Sequence, residues 1–124
     1  MSKTNFENLE VYQLSEKLAD AIWNVVAEWD FFAKDTVARQ LVRAADSVGA
    51  NLAEGTGRST YKDNLRFISY VRGSLYEVKH FLRRAQKRNL LTRDQTEEIR
   101  PLLDELQPRL NAYRRSIRNM SRNN

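Results

Sequence analysis

Residues 37–58 carry two side-chain patterns, one apolar and one polar, that each repeat every three or four residues and therefore follow one helix. The apolar pattern predicts a helix face that belongs to a core, and it consists of Val37, Leu41, Ala44, Ala45, Val48 and Leu52. The polar pattern holds small and hydrogen-bonding residues where a solvent face would carry mostly Lys and Glu, so we expect it to contact protein. It consists of Gln40, Arg43, Ser47, Asn51, Glu54 and Arg58. We expect Gly55 and Gly57 to end the helix with positive φ.

A chain of 124 residues with a mean hydropathy of -0.68 predicts one soluble domain built on a single core. The absence of cysteine excludes disulfides and thiolate metal sites. The first residues lack the apolar run of a signal peptide, and no apolar stretch approaches the ~20 residues that span a bilayer. We therefore expect a cytoplasmic protein without a membrane role.

The apolar spacing is helical almost throughout, and the chain has only four Gly and two Pro, so the expected fold class is all-α. We predict helices at about 8–29, 36–54, 61–88 and 93–119, with 120–124 as a frayed tail. Thr92 and Gln95 have the spacing of a capping box, and Asn89 is expected to end the third helix in the left-handed conformation. Pro101 and Pro108 share one helix face, which predicts a bent last helix with both prolines outward; a break at Pro101 is the alternative.

Short connections between long helices favour an antiparallel, up-down-up-down four-helix bundle. If the chain turns at 57–60, Ser47 faces Ser74 and Arg43 faces Glu77. The sequence thus predicts a partly buried polar network with an ion pair between Arg43 and Glu77. Gly73, in the middle of the third helix, costs about 1 kcal/mol unless a neighbouring helix approaches it closely.

Three motifs identify a resemblance that covers most of the chain. They are F-x-x-L-x-V-Y-Q at residues 6–13, Q-x-x-R-A-A-x-S-V-x-x-N-L-A-E-G-x-x-R at 40–58, and F-x-x-x-x-x-G-S-L-x-E at 67–77. The chain resembles the four-helix-bundle proteins encoded by intervening sequences in bacterial 23S ribosomal RNA genes. Relatives of that family include the accessory variability determinant proteins of diversity-generating retroelements.

This resemblance implies a homopentamer that binds RNA or DNA, with a reverse transcriptase as a further partner. The positions that carry the family motif are Gln40, Arg43, Ser47, Asn51, Glu54, Gly55, Arg58, Phe67, Gly73, Ser74 and Glu77. Both prolines and the arginine-rich end lie outside the family pattern.

The charge distribution favours a polyanionic partner, because residues 58–93 carry ten basic and two acidic side chains within a net charge of +5. Two basic clusters stand out. The first consists of Arg83, Arg84, Lys87, Arg88 and Arg93, and the second of Arg114, Arg115 and Arg118. Without a base-reading motif, we expect salt-dependent backbone contacts with little sequence specificity. The alternative is that these runs are solvated faces that keep the protein soluble.

An enzyme is the least supported class. His80 is the only histidine, and the chain has no metal-binding His pair, glycine-rich phosphate loop or nucleophile motif. We therefore expect no catalytic residue, metal or cofactor. A third class is a structural or protein-binding adaptor, in which spare apolar residues such as Trp23 and Phe67 bind another protein. For Trp23 and Tyr12 the sequence leaves two possibilities open, a subunit interface or the edge of the core.

Overall fold

A computed structural model describes residues 5–123, and every regular element in this range is helical. The all-α prediction is confirmed. The elements are a 3-10 turn (Phe6–Asn8), α1 (Glu10–Val26), the one-turn helix α2 (Phe31–Ala33), a π-helical turn (Lys34–Ala38), α3 (Arg39–Thr56), α4 (Tyr61–Lys87) and α5 (Arg93–Arg122). None of these helices combines the length and the apolar composition that a membrane crossing requires.

The core is formed by the facing sides of the four long helices. Helix α1 contacts α3 and α5, and α4 contacts the same two helices. The predicted apolar face of residues 37–52 is fully buried, with Val48 at 0% exposure. Each of the other long helices also supplies fully buried side chains, such as Leu18, Leu75 and Leu106. The three-to-four spacing therefore identified the core correctly.

Both ends of α4 follow from local chemistry. The Thr60 hydroxyl accepts a hydrogen bond from the Asp63 backbone N–H (3.0 Å) and caps the first turn. At the other end Asn89 has φ 60°, and the Leu90 N–H donates to the Ala85 carbonyl (2.9 Å), as in a Schellman motif. The left-handed Asn89 is confirmed.

The predicted capping box is also confirmed. The Gln95 N–H donates to the Thr92 hydroxyl at 3.1 Å, and the Thr92 N–H donates to the Gln95 side-chain oxygen at 2.9 Å. These two bonds satisfy donors that the first turn of α5 would otherwise leave without partners.

The connection after α1 differs from the prediction. Helix α1 ends at Val26, and helical structure resumes at Phe31 instead of residue 36. The reason is Asp30, whose Oδ1 accepts a hydrogen bond from the Ala33 N–H (2.9 Å) and caps α2. The π-helical turn then accommodates an extra residue before α3 begins.

Helix α5 continues through both prolines, which are exposed as predicted. The alternative of a break at Pro101 is therefore wrong. The predicted frayed tail is also wrong for residues 120–122, because α5 extends to Arg122 and Ile117 anchors its last turns in the core at 7% exposure. Asn124 lies outside the described residues.

Two glycine predictions were wrong. None of the four glycines has a positive φ, and Gly57 continues in the α region at φ -78°. Gly55 instead permits a close approach of α4, because a Cβ there would lie 2.3 Å from Asn64 Oδ1 and 3.1 Å from Phe67 Cβ. A Cβ on Gly73 would meet nothing within 4 Å, so no neighbouring helix approaches Gly73 within this chain.

Candidate nucleic-acid interface

The first basic cluster lies at the end of α4. Arg83, Lys87 and Arg88 are exposed, and Arg84 is half-buried. Within residues 5–123 none of these four cations pairs with a carboxylate. The negative end of the helix dipole stabilises cations in the last turn. This end of α4 therefore presents four positive charges that a phosphate backbone can neutralise.

Arg93, the fifth member of this cluster, is placed differently. It begins α5 directly after the turn that follows α4, and its side chain is 91% exposed. Its Nε lies 3.3 Å from Glu97 Oε1, so part of its charge is already neutralised within the chain. An exposed pair of this kind contributes little to stability and is easily exchanged for a phosphate contact.

The second cluster lies along α5. Arg115 is exposed, Arg114 and Arg118 are half-buried, and none of the three forms an ion pair in the described part of the chain. The neighbouring Tyr113 hydroxyl accepts a hydrogen bond from Asn64 Nδ2 (3.2 Å), which ties this part of α5 to the start of α4. Burial raises the pKa of the Tyr113 hydroxyl, and the bond from Asn64 partly opposes that shift.

The two clusters are separate. Asn64 and the first cluster lie near opposite ends of α4, and a helix rises 1.5 Å per residue, so about 30 Å separates the clusters along this axis. The described residues thus carry two positive patches.

The exposed face of α4 between these ends combines cations with aromatic rings. Tyr70 and Tyr76 are 47% and 53% exposed. The Arg72 guanidinium lies 6.0 Å and the Lys79 ammonium 5.3 Å from the centroid of the Tyr76 ring. Sequence reasoning missed this surface, although basic and aromatic residues alternate at helical spacing between residues 66 and 79. Exposed rings beside cations are typical of surfaces that stack nucleic-acid bases.

The family-motif residues at the turn between α3 and α4 form a compact cluster. Arg58 pairs with Glu54 (3.0 Å) and Asp63 (3.6 Å), and its guanidinium lies 4.4 Å from the centroid of the Phe67 ring. Gly55 lies below Phe67, where only a glycine fits without displacing neighbours. These motif residues therefore hold the start of α4 against the end of α3.

The predicted polar network does not form between the helices. Ser47 Oγ donates to the Arg43 carbonyl (2.7 Å), and Asn51 Nδ2 donates to the Ser47 carbonyl (2.9 Å), so both side chains bond to their own helix. Arg43 and Glu77 are exposed and form no ion pair with each other, because Arg43 lines a groove beside α1.

The remaining network residues also lie apart. Ser74 is buried at 8% exposure, whereas Gln40 and Glu54 are exposed. Phe67 is buried as well, so the expectation that it belongs to an exposed apolar surface is wrong.

His80 is exposed and packs edge-to-face on Phe81, with 4.9 Å between the ring centroids. Among residues 5–123 no group of three or more His, Asp or Glu side chains is placed to hold a metal ion. Whether the protein is an enzyme is a separate question, and the expectation that it is not stays a prediction.

The four long helices, with motif residues clustered around the turn between α3 and α4, define the chain as a four-helix, all-α protein. The family of 23S rRNA-intervening sequence proteins matches residues 7–112, and the chain belongs to this family. The comparison with curated proteins found no match. The matched region contains the first basic cluster and the motif positions from Gln40 to Glu77, but it ends before Arg114, so the second cluster lies outside it.

Proposed function

We propose that the protein is a non-enzymatic, self-associating four-helix bundle that binds the backbone of RNA or DNA. The observation that carries this proposal is the first basic cluster, in which four cations at the end of α4 have no carboxylate partner within the described residues. An ordinary solvated surface intersperses both signs of charge. A group of unpaired cations instead provides several neighbouring contacts for a polyanion.

The bundle is antiparallel, with its helices running up, down, up and down. Support comes from two contacts between α4 and α5: Asn64 bonds to Tyr113, and Lys79 Nζ donates to Gln107 Oε1 at 2.6 Å. From the first contact to the second, the residue number rises in α4 from 64 to 79 but falls in α5 from 113 to 107. Neighbouring helices show this order when they are antiparallel. Each long helix also contacts two others, and short connections favour this arrangement.

Backbone binding sets the salt dependence. If the four unpaired cations each neutralise one phosphate, the slope of log K against log salt is about -3.6 for duplex DNA and about -2.8 for a single strand. Raising salt from 50 to 200 mM then weakens binding about 150-fold for the duplex and about 50-fold for the single strand. Binding that is insensitive to salt would contradict phosphate contact at this cluster.

The direct test reverses the charges of the cluster. The quadruple variant Arg83→Glu, Arg84→Glu, Lys87→Glu, Arg88→Glu is expected to lose retention of RNA and DNA in a filter assay at low salt. Retention equal to that of the wild type would refute the assignment of the first basic cluster as the nucleic-acid-binding site.

A pair of double variants controls for net charge. The first variant combines Arg83→Glu with Lys87→Glu, inside the cluster. The control combines Lys17→Glu with Arg100→Glu, outside it. Both variants change the net charge equally, and all four residues are exposed. Only the variant inside the cluster is expected to weaken the retention of nucleic acid strongly. Equal weakening would mean that net charge, and not the cluster, governs binding.

The oligomer is expected to be a pentamer, as the family resemblance implies. Light scattering after size-exclusion chromatography should give a mass five times the 14.5 kDa of one chain. A mass of one chain at high concentration would refute self-association.

The proposed cellular setting rests on the sequence motifs alone. They favour a protein related to the accessory variability determinant proteins, with a reverse transcriptase as a partner. Co-purification with the product of a neighbouring reverse-transcriptase gene would test this. A gene inserted in a 23S ribosomal RNA gene, without a retroelement nearby, would count against it.

A structural or protein-binding adaptor is the second candidate. It is favoured by Trp23, Phe31 and Phe32, which are 60%, 82% and 77% exposed. Wild-type protein that retains neither RNA nor DNA at low salt would favour this function over the first.

A further inference from the structure

Two phenylalanines project from the helix pair at the α1–α3 connection. Phe31 and Phe32, here called the aromatic knob, have the largest exposed fractions among the large apolar residues in the described range. The knob is held in place because Asp30 caps its helical turn and the Lys34 N–H donates to the Asp30 carbonyl (2.9 Å). Exposed apolar rings grouped on one ordered turn are typical of protein–protein contact surfaces.

An apolar groove of about 550 Å³ lies beside the knob, between the end of α1 and the start of α3. Cavities of this size hold ligands or large side chains. Its apolar floor consists of Trp23, Val26, Ala27, Ala38 and Val42. The knob of the same chain leaves this groove open, since both of its rings face solvent.

The rim of the groove is positively charged. It is formed by Lys34, Arg39 and Arg43. Arg39 pairs with Asp35 at 2.6 Å, whereas Lys34 and Arg43 have no carboxylate partner within residues 5–123. An occupant with an apolar centre and flanking carboxylates would match both parts of the groove.

The knob has this chemistry. Glu28 and Asp30 lie three residues and one residue before Phe31 in the chain and are exposed, and Glu28 forms no ion pair within the described residues. The chain thus carries an apolar projection with acidic neighbours next to an apolar recess with basic neighbours. Such a surface is complementary to a copy of itself.

We propose that the aromatic knob of one copy inserts into the Trp23 groove of a second copy, with Glu28 and Asp30 facing Lys34 and Arg43 across the contact. This inference rests on the proposed self-association and names its contact surface. In the pentamer proposed above, the contact repeats head-to-tail, so that the knob of each copy enters the groove of the next.

The first test removes the knob. Phe31→Ser with Phe32→Ser should weaken self-association at least about 100-fold in sedimentation velocity, because buried aromatic side chains dominate interface energies. Phe31→Leu with Phe32→Leu keeps apolar side chains on the same turn and should retain most of the association. If the serine variant assembles like the wild type, the knob is not part of the interface.

The second test uses a mixture. Ala27→Arg places a long cation in the groove at an exposed position and should also prevent assembly. The knob variant has an intact groove and the groove variant has an intact knob, so an equimolar mixture should form dimers although each variant alone is monomeric. A mixture that stays monomeric would overturn the contact.

These outcomes are distinguishable from failure of the proposed function. If the wild type forms an oligomer and both variants assemble equally well, this contact is refuted but self-association is not. A monomeric wild type refutes both. A monomeric wild type whose tryptophan fluorescence shifts on adding an acidic peptide that contains two phenylalanines, with no shift in Trp23→Phe, would assign the groove to a different protein partner.

Discussion

Two glycine-to-alanine changes are predicted to have opposite effects on stability. Gly73 is exposed in the interior of α4, its φ is not positive, and an added Cβ meets no atom within 4 Å. Alanine there should stabilise the protein by about 1 kcal/mol through helix propensity and the lower entropy of the unfolded chain. For a chain of this size the melting temperature should rise by about 3–6 °C.

Gly55→Ala gains the same helix propensity but meets packed atoms. The added Cβ would lie 2.3 Å from Asn64 Oδ1 and 3.1 Å from Phe67 Cβ, and both neighbours are buried. Asn64 has to move, which strains its hydrogen bond to Tyr113. Overpacking costs about 1–3 kcal/mol and a lost hydrogen bond about 1 kcal/mol. After the propensity gain, we expect a net loss of about 1–3 kcal/mol.

Urea and thermal unfolding, followed by far-UV circular dichroism, would measure both changes. The series should be run at several protein concentrations, because self-association raises the apparent stability. Stabilisation by Gly55→Ala would refute the close approach of α3 and α4. Destabilisation by Gly73→Ala at every concentration would refute open space around that residue, whereas destabilisation only at high concentration would place Gly73 in a contact between copies.

Three further predictions concern single side chains. Glu77→Ala and Glu98→Ala should have equal effects, within about 0.5 kcal/mol, because both residues are exposed and unpaired within residues 5–123; a larger loss for Glu77 in thermal melts would indicate an ion pair that forms on assembly. Desolvation and the nearby Asp20 carboxylate raise the pKa of Asp46 above 3.8. The stability that this shift contributes is present below pH 3.8 and is lost as pH rises through the raised pKa, so Asp46→Asn should raise the melting temperature at pH 7 and not at pH 3. Tyr113→Phe removes the acceptor for a buried asparagine amide and should lower the urea midpoint by the equivalent of about 1–2 kcal/mol, and an unchanged midpoint would contradict this bond.

The fold was predictable where burial and local hydrogen bonds act together. Apolar spacing located the four long helices, and the side chains of Thr92 and Gln95 marked the start of α5. The start of the second helical segment was not predictable from periodicity, because Phe31 and Phe32 are apolar but exposed. The capping role of Asp30 could have been found from its position before them.

The candidate site was only partly predictable. The basic clusters were identified from charge runs, which need no tertiary information. The ion pair between Arg43 and Glu77 was wrong because a facing register does not fix where long side chains point, and Arg43 lies beside α1. The rings and cations around Tyr76 were not predictable from apolar periodicity, because these side chains lie outside the apolar stripe that forms the core face of α4.

The separation of about 30 Å between the first and second basic clusters limits which nucleic acids can contact both clusters at once. A duplex advances about 3.4 Å per base pair, so a footprint of about nine base pairs is the shortest that reaches from one patch to the other on a single chain. Shorter oligonucleotides should occupy one patch at a time. Their affinity should then increase abruptly, and not gradually, once the duplex exceeds that length.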